Sequence, residues 1–398
     1  MAENIKTLGT VAEYINGRAF KPDEWEKIGK PIIRIQNLTH SSEVCNRTTK
    51  DFDKKFLITK GDLLFSWSAT LGAFIWCGED AWLNQHIFKV IPNDDVEKLY
   101  LYYYLKFIVD KLQEKTHGSG MVHITLKPFK ETEIPLPPLD EQKRIGAIIE
   151  SLFSKLDEAK SIVQKILDGY ELRRAAILHK AFTGELTKNF RSENNLTLDD
   201  WQEKKLGDVL NLSKKKTDSF NENLKYVGLE NIEKDSGKIN FQSAKNVKST
   251  KNFFHSGDLL YGKLRPYLNK HGIPNFDGVC STDILVLNAN EFSTNEFINY
   301  FFSLPTFVEY AVSNSKGINL PRVSSKIILN AEINLPPLDE QKEIVRVLDS
   351  LLDKEQQTKE IAEKILSEID LLKRTILARA FRGKLGTNNP SEKWEGLY

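Results

Sequence analysis

Two stretches of the chain carry apolar residues spaced alternately three and four apart. The first runs Ile145, Ile149, Leu152, Leu156, Ala159, Val163, Ile166, Tyr170 and Ile177. The second runs Ile344, Leu348, Leu351, Ala362, Ile365, Ile369, Leu372 and Ile376, with Glu355 and Thr358 interrupting its middle. This spacing is the seam of a coiled coil. Pro137-Pro138 and Pro336-Pro337 stand before the two stretches, where a missing N–H costs a first helical turn nothing. Asp140-Glu141 and Asp339-Glu340 follow, where a cap and the helix dipole favour carboxylates. Gly184 and Gly383 suit the stops. Each helix is then about 40 residues, or about 60 Å long. Neither is stable alone with one apolar stripe facing water. They are expected to pack on each other, antiparallel, with globular segments at opposite ends.

Between these rods the pattern changes to short apolar runs. Pro31–Ile35 and Asp283–Leu287 read as strands. Leu99–Leu112 and Phe297–Val312 read as helices, whose tyrosines are core rather than functional. The expected fold is α/β: two globular domains separated by two long antiparallel helices forming a coiled coil, in a pseudo-twofold circular repeat.

The chain is a repeat. Residues 133–152 (EIPLPPLDEQKRIGAIIESL) and 332–351 (EINLPPLDEQKEIVRVLDSL) agree at thirteen of twenty positions without a gap, 199 residues apart. RRAAILHKAFTGEL (173–186) answers KRTILARAFRGKL (373–385), with Ile177/Ile376, Phe182/Phe381 and Gly184/Gly383 at the same offset. The length between the matched blocks is kept, as a rod of fixed length requires. The globular segments match weakly: Lys205–Val209 resembles Thr7–Val11, and Gly257–Tyr261 resembles Gly61–Phe65, at drifting offsets. A common scaffold with two different readouts is the reading. Ser391-Glu392-Lys393-Trp394-Glu395 at the C-terminus echoes Leu198–Glu203, which opens the second globular segment. Domains are therefore placed at 1–138, 139–184 (rod), 185–337, 338–384 (rod) and 385–398, the last a tail packing on the first domain.

Composition narrows the function classes. The 398 residues are 40% hydrophobic and 28% charged, ordinary for a globular protein of two or three domains. Cys45, Cys77 and Cys280 form no CxxC pair, which fits a reducing cytoplasm. The first residues lack a signal-peptide run, and no stretch approaches the roughly 20 apolar residues of a membrane span. The formal net charge is +1, with basic and acidic residues balanced at 18 each in 1–139 and 17 each in 192–338. A non-specific DNA coat is disfavoured. Any DNA surface must come from local sorting of charge.

The two LPPLDEQK blocks at 136–143 and 335–342, the RRAAIL…AFTGEL and KRTIL…AFRGKL endings and the GDLL segments resemble the specificity subunits of type I restriction–modification systems. The resemblance covers essentially the whole chain. It implies two target recognition domains, each reading one half of a split, asymmetric DNA site, with the helices as a ruler for the spacer. It implies as partners double-stranded DNA, two methyltransferase subunits that dock on the helices with S-adenosylmethionine, and two motor-nuclease subunits using ATP and Mg²⁺. No cofactor and no catalytic residue is then expected in this chain. A fixed rod converts a protein distance into base pairs, and two unlike half-readers give an asymmetric target where a homodimer gives a palindrome.

Candidate contacts follow from local chemistry. Lys263, Arg265, Tyr267, Asn269 and Lys270 sit after Gly262, as DNA contacts or a plain exposed basic hairpin: Arg can read guanine, Asn can read adenine and Lys can hold phosphate. The first domain's equivalent is Ser66, Trp67, Ser68 and Thr70, where Trp67 is a contact or core. His117, Gly118, Ser119 and Lys316 lie in polar glycine loops, as phosphate or base contacts or plain linkers. Lys214, Lys215 and Lys216, with Lys245, Lys248 and Lys251, are phosphate grips or a solvated face. Gln36-Asn37 and Glu230-Asn231 are base readers or turn residues. Asp140, Glu141, Gln142 and Lys143, with Asp339, Glu340, Gln341 and Lys342, are the partner-binding candidates. Glu141-Gln142-Lys143 and Glu340-Gln341-Lys342 also match half of a nuclease ExK motif, but capping at a helix start explains them. No Asn/Asp-Pro-Pro-Tyr/Phe motif or glycine-rich cofactor loop is present, and the histidines have no metal-ligand spacing. The rival reading is a coiled-coil adaptor binding only proteins, which leaves the divergence of the globular halves unexplained.

Overall fold

The structure, a computed structural model, describes residues 5–42, 44–114, 126–220, 223–234, 237–247 and 249–385. The seams form the expected rods. The first is helical over Leu139–Asp168 and Tyr170–Phe182, interrupted at Gly169, and the second is one helix, Leu338–Ala380. Both end alike: Gly184 and Gly383 adopt positive φ, and the next N–H reaches back five residues, Glu185 to Lys180 and Lys384 to Arg379. That is the glycine-terminated helix stop, available because glycine has no Cβ to clash.

The chain divides into two units, Met1–Gln164 with Lys364–Tyr398, and Lys165–Glu363. Within each unit the two rod segments run antiparallel. In the first, Lys160 bonds Asp370 at 3.0 Å and Lys373 pairs with Asp157. In the second, Tyr170 donates to Gln356 at 3.0 Å and Arg173 to Glu355 at 2.9 Å. Seam residues Ile145, Ile149, Val163, Ile344, Leu348, Ala362, Ile369 and Ile376 are buried. The seam is interrupted at Glu355 because Arg173 reaches it from the other rod. A polar layer of this kind fixes register at some expense of stability.

The first head is built on two sheets. One has the strand order Ala12–Asn16, Ile87–Pro92, Leu63–Ser66, Gly72–Ile75; the other Asn46–Thr48, Lys30–Ile33, Ala81–Leu83, Leu57–Ile58. The second head repeats this order. Its sheets run Leu210–Leu212, Ile284–Ala289, Leu259–Gly262, His271–Gly272, and Gln242–Ser243, Lys225–Val227, Gly278–Cys280, Lys251–Phe254, with Lys216–Thr217 added at the edge. In each head, among the described residues, one strand pair is parallel, Lys30–Ile33 with Ala81–Leu83 and Lys225–Val227 with Gly278–Cys280. Sequence that has drifted has kept its strand plan. The GDLL turns show how: Gly61 and Gly257 take positive φ, and Asp62 and Asp258 accept the N–H of Thr59 and His255.

Each head is fastened to a rod by one apolar core. In the first unit Leu8, Phe65, Tyr100, Phe129 and Ile134 join Ile145, Ile149, Phe153, Ile376 and Phe381. In the second, Leu206, Tyr261, Phe297 and Ile333 join Leu178, Ile344 and Leu348. Tyr100, Tyr103 and Tyr104 are buried in a helix, Lys98–Glu114, as expected of core tyrosines. The expected helix over Phe297–Val312 is two, Asn295–Phe302 and Pro305–Ser313. Pro305 forces the break, because it disfavours helical geometry at Leu304 and donates no N–H. No helix among the described residues is long and apolar enough to cross a membrane. The expected tail contact lies outside the described residues from 386 onward; Leu385, just before them, is buried in the first unit's core.

Candidate nucleic-acid interface

The second head brings Lys263, Arg265, Tyr267 and Lys316 to one edge. The strand Leu259–Gly262 leads into Lys263, whose N–H bonds Asp283 O at 2.8 Å. Arg265 N donates to Pro321 O at 2.7 Å, and Val323 N to Lys263 O at 3.0 Å. Arg322 then forks onto Asp283, both bonds 3.1 Å. Three segments, 263–267, 281–283 and 316–322, are thus laced together. Arg265 and Asn269 hold positive φ of 52° and 43°, a conformation that costs a residue with a Cβ and persists where surroundings dictate it. Lys263 is half-buried, and Arg265, Tyr267, Lys316 and Arg322 are exposed at this edge.

Two members of that segment face inward. Asn269 is buried, its Oδ1 without a hydrogen-bond partner among the described residues. Lys270 spends its ammonium on Leu229 O at 2.6 Å, tying this segment to the turn that carries Glu230 and Asn231. In that turn Asn231 Oδ1 accepts the Gly228 N–H at 2.9 Å, while Glu230 is exposed and accepts from Gln242 Nε2 at 3.3 Å.

The first head builds the same edge with other side chains. Asn37 Oδ1 accepts the Arg34 N–H at 3.0 Å, and its Nδ2 donates to Ser42 O and Val44 O, each at 3.1 Å. Gln36 stands beside it, half-exposed, where Glu230 stands in the second head. Trp67 N donates to His86 O at 3.1 Å, the counterpart of Lys263 to Asp283. Trp67 stacks on Phe88 at 5.6 Å and donates its Nε1 to Asn16 Oδ1 at 3.0 Å, so its ring belongs to the core. Ser66 and Ser68 are buried, and Ser66 Oγ donates to Thr70 O at 2.6 Å. Thr70 is exposed. The loop holding His117, Gly118 and Ser119 lies outside the described residues, as does Lys248.

The structure adds residues that local chemistry did not single out. Gln85 and Thr282 are exposed at the matching turns between the two sheets, and Asp283 and Arg322 brace the second edge. Their signal is positional, two residues after the parallel strands end, and carries no motif. Lys214 is exposed; Lys215 lies 3.4 Å from His255 Nε2; Lys216 is in an edge strand; Lys251 bonds Ser249 Oγ; Lys245 lies in a short turn of helix.

The repeated DEQK blocks are mainly internal. Gln142 is buried: its Nε2 donates to Asp95 O and Pro137 O, and its Oε1 accepts the Glu97 N–H. Gln341 repeats this with Phe292 O, Pro336 O and Ser293 Oγ. Glu340, also buried, receives Arg191, Thr187 and Trp201. These three side chains are buried and hook head to rod. Asp140, Lys143, Asp339 and Lys342 are outward, with local ion pairs; Glu141 is half-exposed beside Arg144. Apolar residues stand exposed on the rods at repeat-equivalent positions: Ile162 with Ile361, and Leu172 with Leu371.

Among the described residues no three His, Cys, Asp or Glu gather as a metal site. The edges offer donors, acceptors and cations at a surface: the chemistry of binding.

The comparisons agree with this geometry. A family model described as the type I restriction modification DNA specificity domain matches residues 3–167 and again 198–367. The chain belongs to that family, with two copies of its domain. Among curated relatives, the Escherichia coli type I restriction enzyme EcoDI specificity subunit is 27% identical over 359 residues, 84% of this chain and 79% of that protein. The EcoBI specificity subunit, also from Escherichia coli, is 26% identical over 95% of this chain and 85% of its own length. The MjaVIII specificity subunit of Methanocaldococcus jannaschii is 25% identical over 97% and 93%. The HsdS subunit from Thermoanaerobacter tengcongensis shares the fold at a TM-score of 0.62 and 20% identity, covering 96% of this chain and 97% of that one. A chain from a study of type I R-M complex assembly reaches a TM-score of 0.70 at 21% identity, covering 97% and 99%.

Proposed function

We propose that this chain is the sequence-specific DNA-recognition subunit of a type I restriction–modification complex, each head reading one half of a bipartite, asymmetric target. One observation carries the reading. Both heads lace the same strand ends into one edge, yet present different side chains there: Gln36, Thr70 and Gln85 in the first, Glu230, Lys263, Arg265, Thr282 and Lys316 in the second. Amide and hydroxyl groups suit base edges, and Lys and Arg suit phosphates and guanine. An adaptor binding only proteins gives no reason for one frame with two tips.

The rods set the spacer and dock the methyltransferase subunits. The equivalence of Ile162 with Ile361 and of Leu172 with Leu371 supports two like docking faces, hence two such subunits. Two motor-nuclease subunits complete the complex. S-adenosylmethionine, ATP and Mg²⁺ belong to those partners, and with them methyl transfer and cleavage. Double-stranded DNA is the partner of this chain's own edges, and the cytoplasm is its place. The test is DNA binding by the reconstituted complex carrying Lys263→Ala with Arg265→Ala. Selectivity at the half-site read by the second head should be lost; unchanged specificity would contradict the assignment.

A further inference from the structure

Between Lys316 and Arg322 the chain makes a tight hairpin, closed by Lys316 N to Arg322 O at 2.9 Å and Arg322 N to Lys316 O at 2.8 Å. Gly317, at φ +105°, turns it, and Pro321 stiffens its return. Its base is clamped twice: Arg265 N donates to Pro321 O, and the Arg322 fork holds Asp283. The tip of this braced hairpin is apolar. Ile318 is 99% exposed and Leu320 48%. Water makes such a tip unfavourable in the free protein, and packing inside the chain does not explain it. Lys316 and Arg265, both exposed, and the half-buried Lys263 stand on the same laced segments.

We propose that Ile318, backed by Leu320, is a wedge that enters DNA at the second half-site and partly unstacks a base step. The inference rests on the DNA-reading function proposed above and deepens it. The cations supply complementarity to phosphates on either side of an opened groove. The apolar tip supplies what a phosphate cannot use, and an aliphatic side chain pushed between base steps kinks the duplex. The clamp at the hairpin's base lets the tip push against stacked bases without folding back.

The experiment uses the whole complex, this chain with its methyltransferase subunits, and a duplex carrying its methylated site. Affinity is read by fluorescence anisotropy over a salt series, and bending by energy transfer between dyes on the duplex ends. Ile318→Ser should weaken binding about tenfold or more and relax the bend. The slope of affinity against salt should be unchanged, because phosphate contacts remain. Ile318→Met should retain both affinity and bend. The side chain touches no core, so the variants fold. Ile318→Ser binding and bending like the unaltered complex would overturn the wedge and leave the DNA reading intact. Loss of the methyltransferase subunits from the Ile318→Ser complex would overturn it in favour of a protein contact. An unaltered complex that selects no duplex would overturn the DNA reading itself, and the wedge with it.

Discussion

Asn37 and Asn231 show what single-residue chemistry reveals and what it conceals. Each is an amide at a strand end, suited to adenine on paper. In the folded chain each accepts the backbone N–H three residues earlier, closing the same turn in both heads. The neighbouring side chain, Gln36 or Glu230, faces outward instead. Asn37→Ala and Asn231→Ala should each lower stability by about 1 kcal/mol, as loss of a cap does, measured by urea unfolding. Gln36→Ala and Glu230→Ala should leave stability within about 0.5 kcal/mol while changing the half-site selected. Trp67, read as contact or core, and Ser66 and Asn269, read as contacts, meet the same limit: a side chain's capacity to hydrogen-bond does not say whether its own backbone or core already uses it. Glu24 gives a pH signature. The Arg18 guanidinium, at 2.6 and 2.7 Å, and the Lys21 N–H hold its carboxyl down at about 2. A depressed carboxyl stabilises fully above its ordinary value near 4.5 and loses that as pH falls towards about 2. Between pH 5 and 3 the unaltered protein should therefore lose more resistance to urea than Glu24→Gln does.

At the scale of elements, the rods were legible because a seam of three-and-four spacing permits one solution. Their starts and stops were legible because proline and glycine act through backbone geometry alone. The polar interruption at Glu355 was visible but not its reason, since Arg173 lies 182 residues away in sequence. The heads were half legible. Strands of two to six residues leave little periodicity, and their order comes from pairing between distant segments. The LPPLDEQK block was found by its repetition, but its role was not. Gln142 and Gln341 are hooks, each replacing water for three polar groups at the junction of head and rod. Gln142→Ala or Gln341→Ala should cost about 2 kcal/mol or more by leaving buried groups unpaired, read as a lower unfolding midpoint. Glu340→Ala, which strands the buried Arg191, should cost about 3–5 kcal/mol. If the rods set the spacer, removing one heptad from each keeps the seam in phase and shortens the rod by about 10 Å. The recognised spacer should then shrink by about three base pairs, at 3.4 Å each, with both half-sites unchanged. An altered half-site would contradict the ruler.

At the scale of the whole molecule, the chain is one design used twice. The two heads share a strand order and a head-to-rod hook, and the rods share length, stops and exposed apolar positions. The C-terminal echo of Trp201 at Trp394 extends this logic: removing residues 387–398 should lower the thermal stability of the first head if the tail completes it. The central claim is that the heads read independent halves of one target. Single-molecule sequencing of methylated adenines, in cells carrying the complex with this chain or with its Lys263→Ala/Arg265→Ala form, tests it directly. The unaltered chain should give a two-part asymmetric motif with a fixed spacer. The double variant should relax or lose the half read by the second head and leave the other half and the spacer as they were. A single continuous or palindromic motif, or a change in both halves at once, would contradict it.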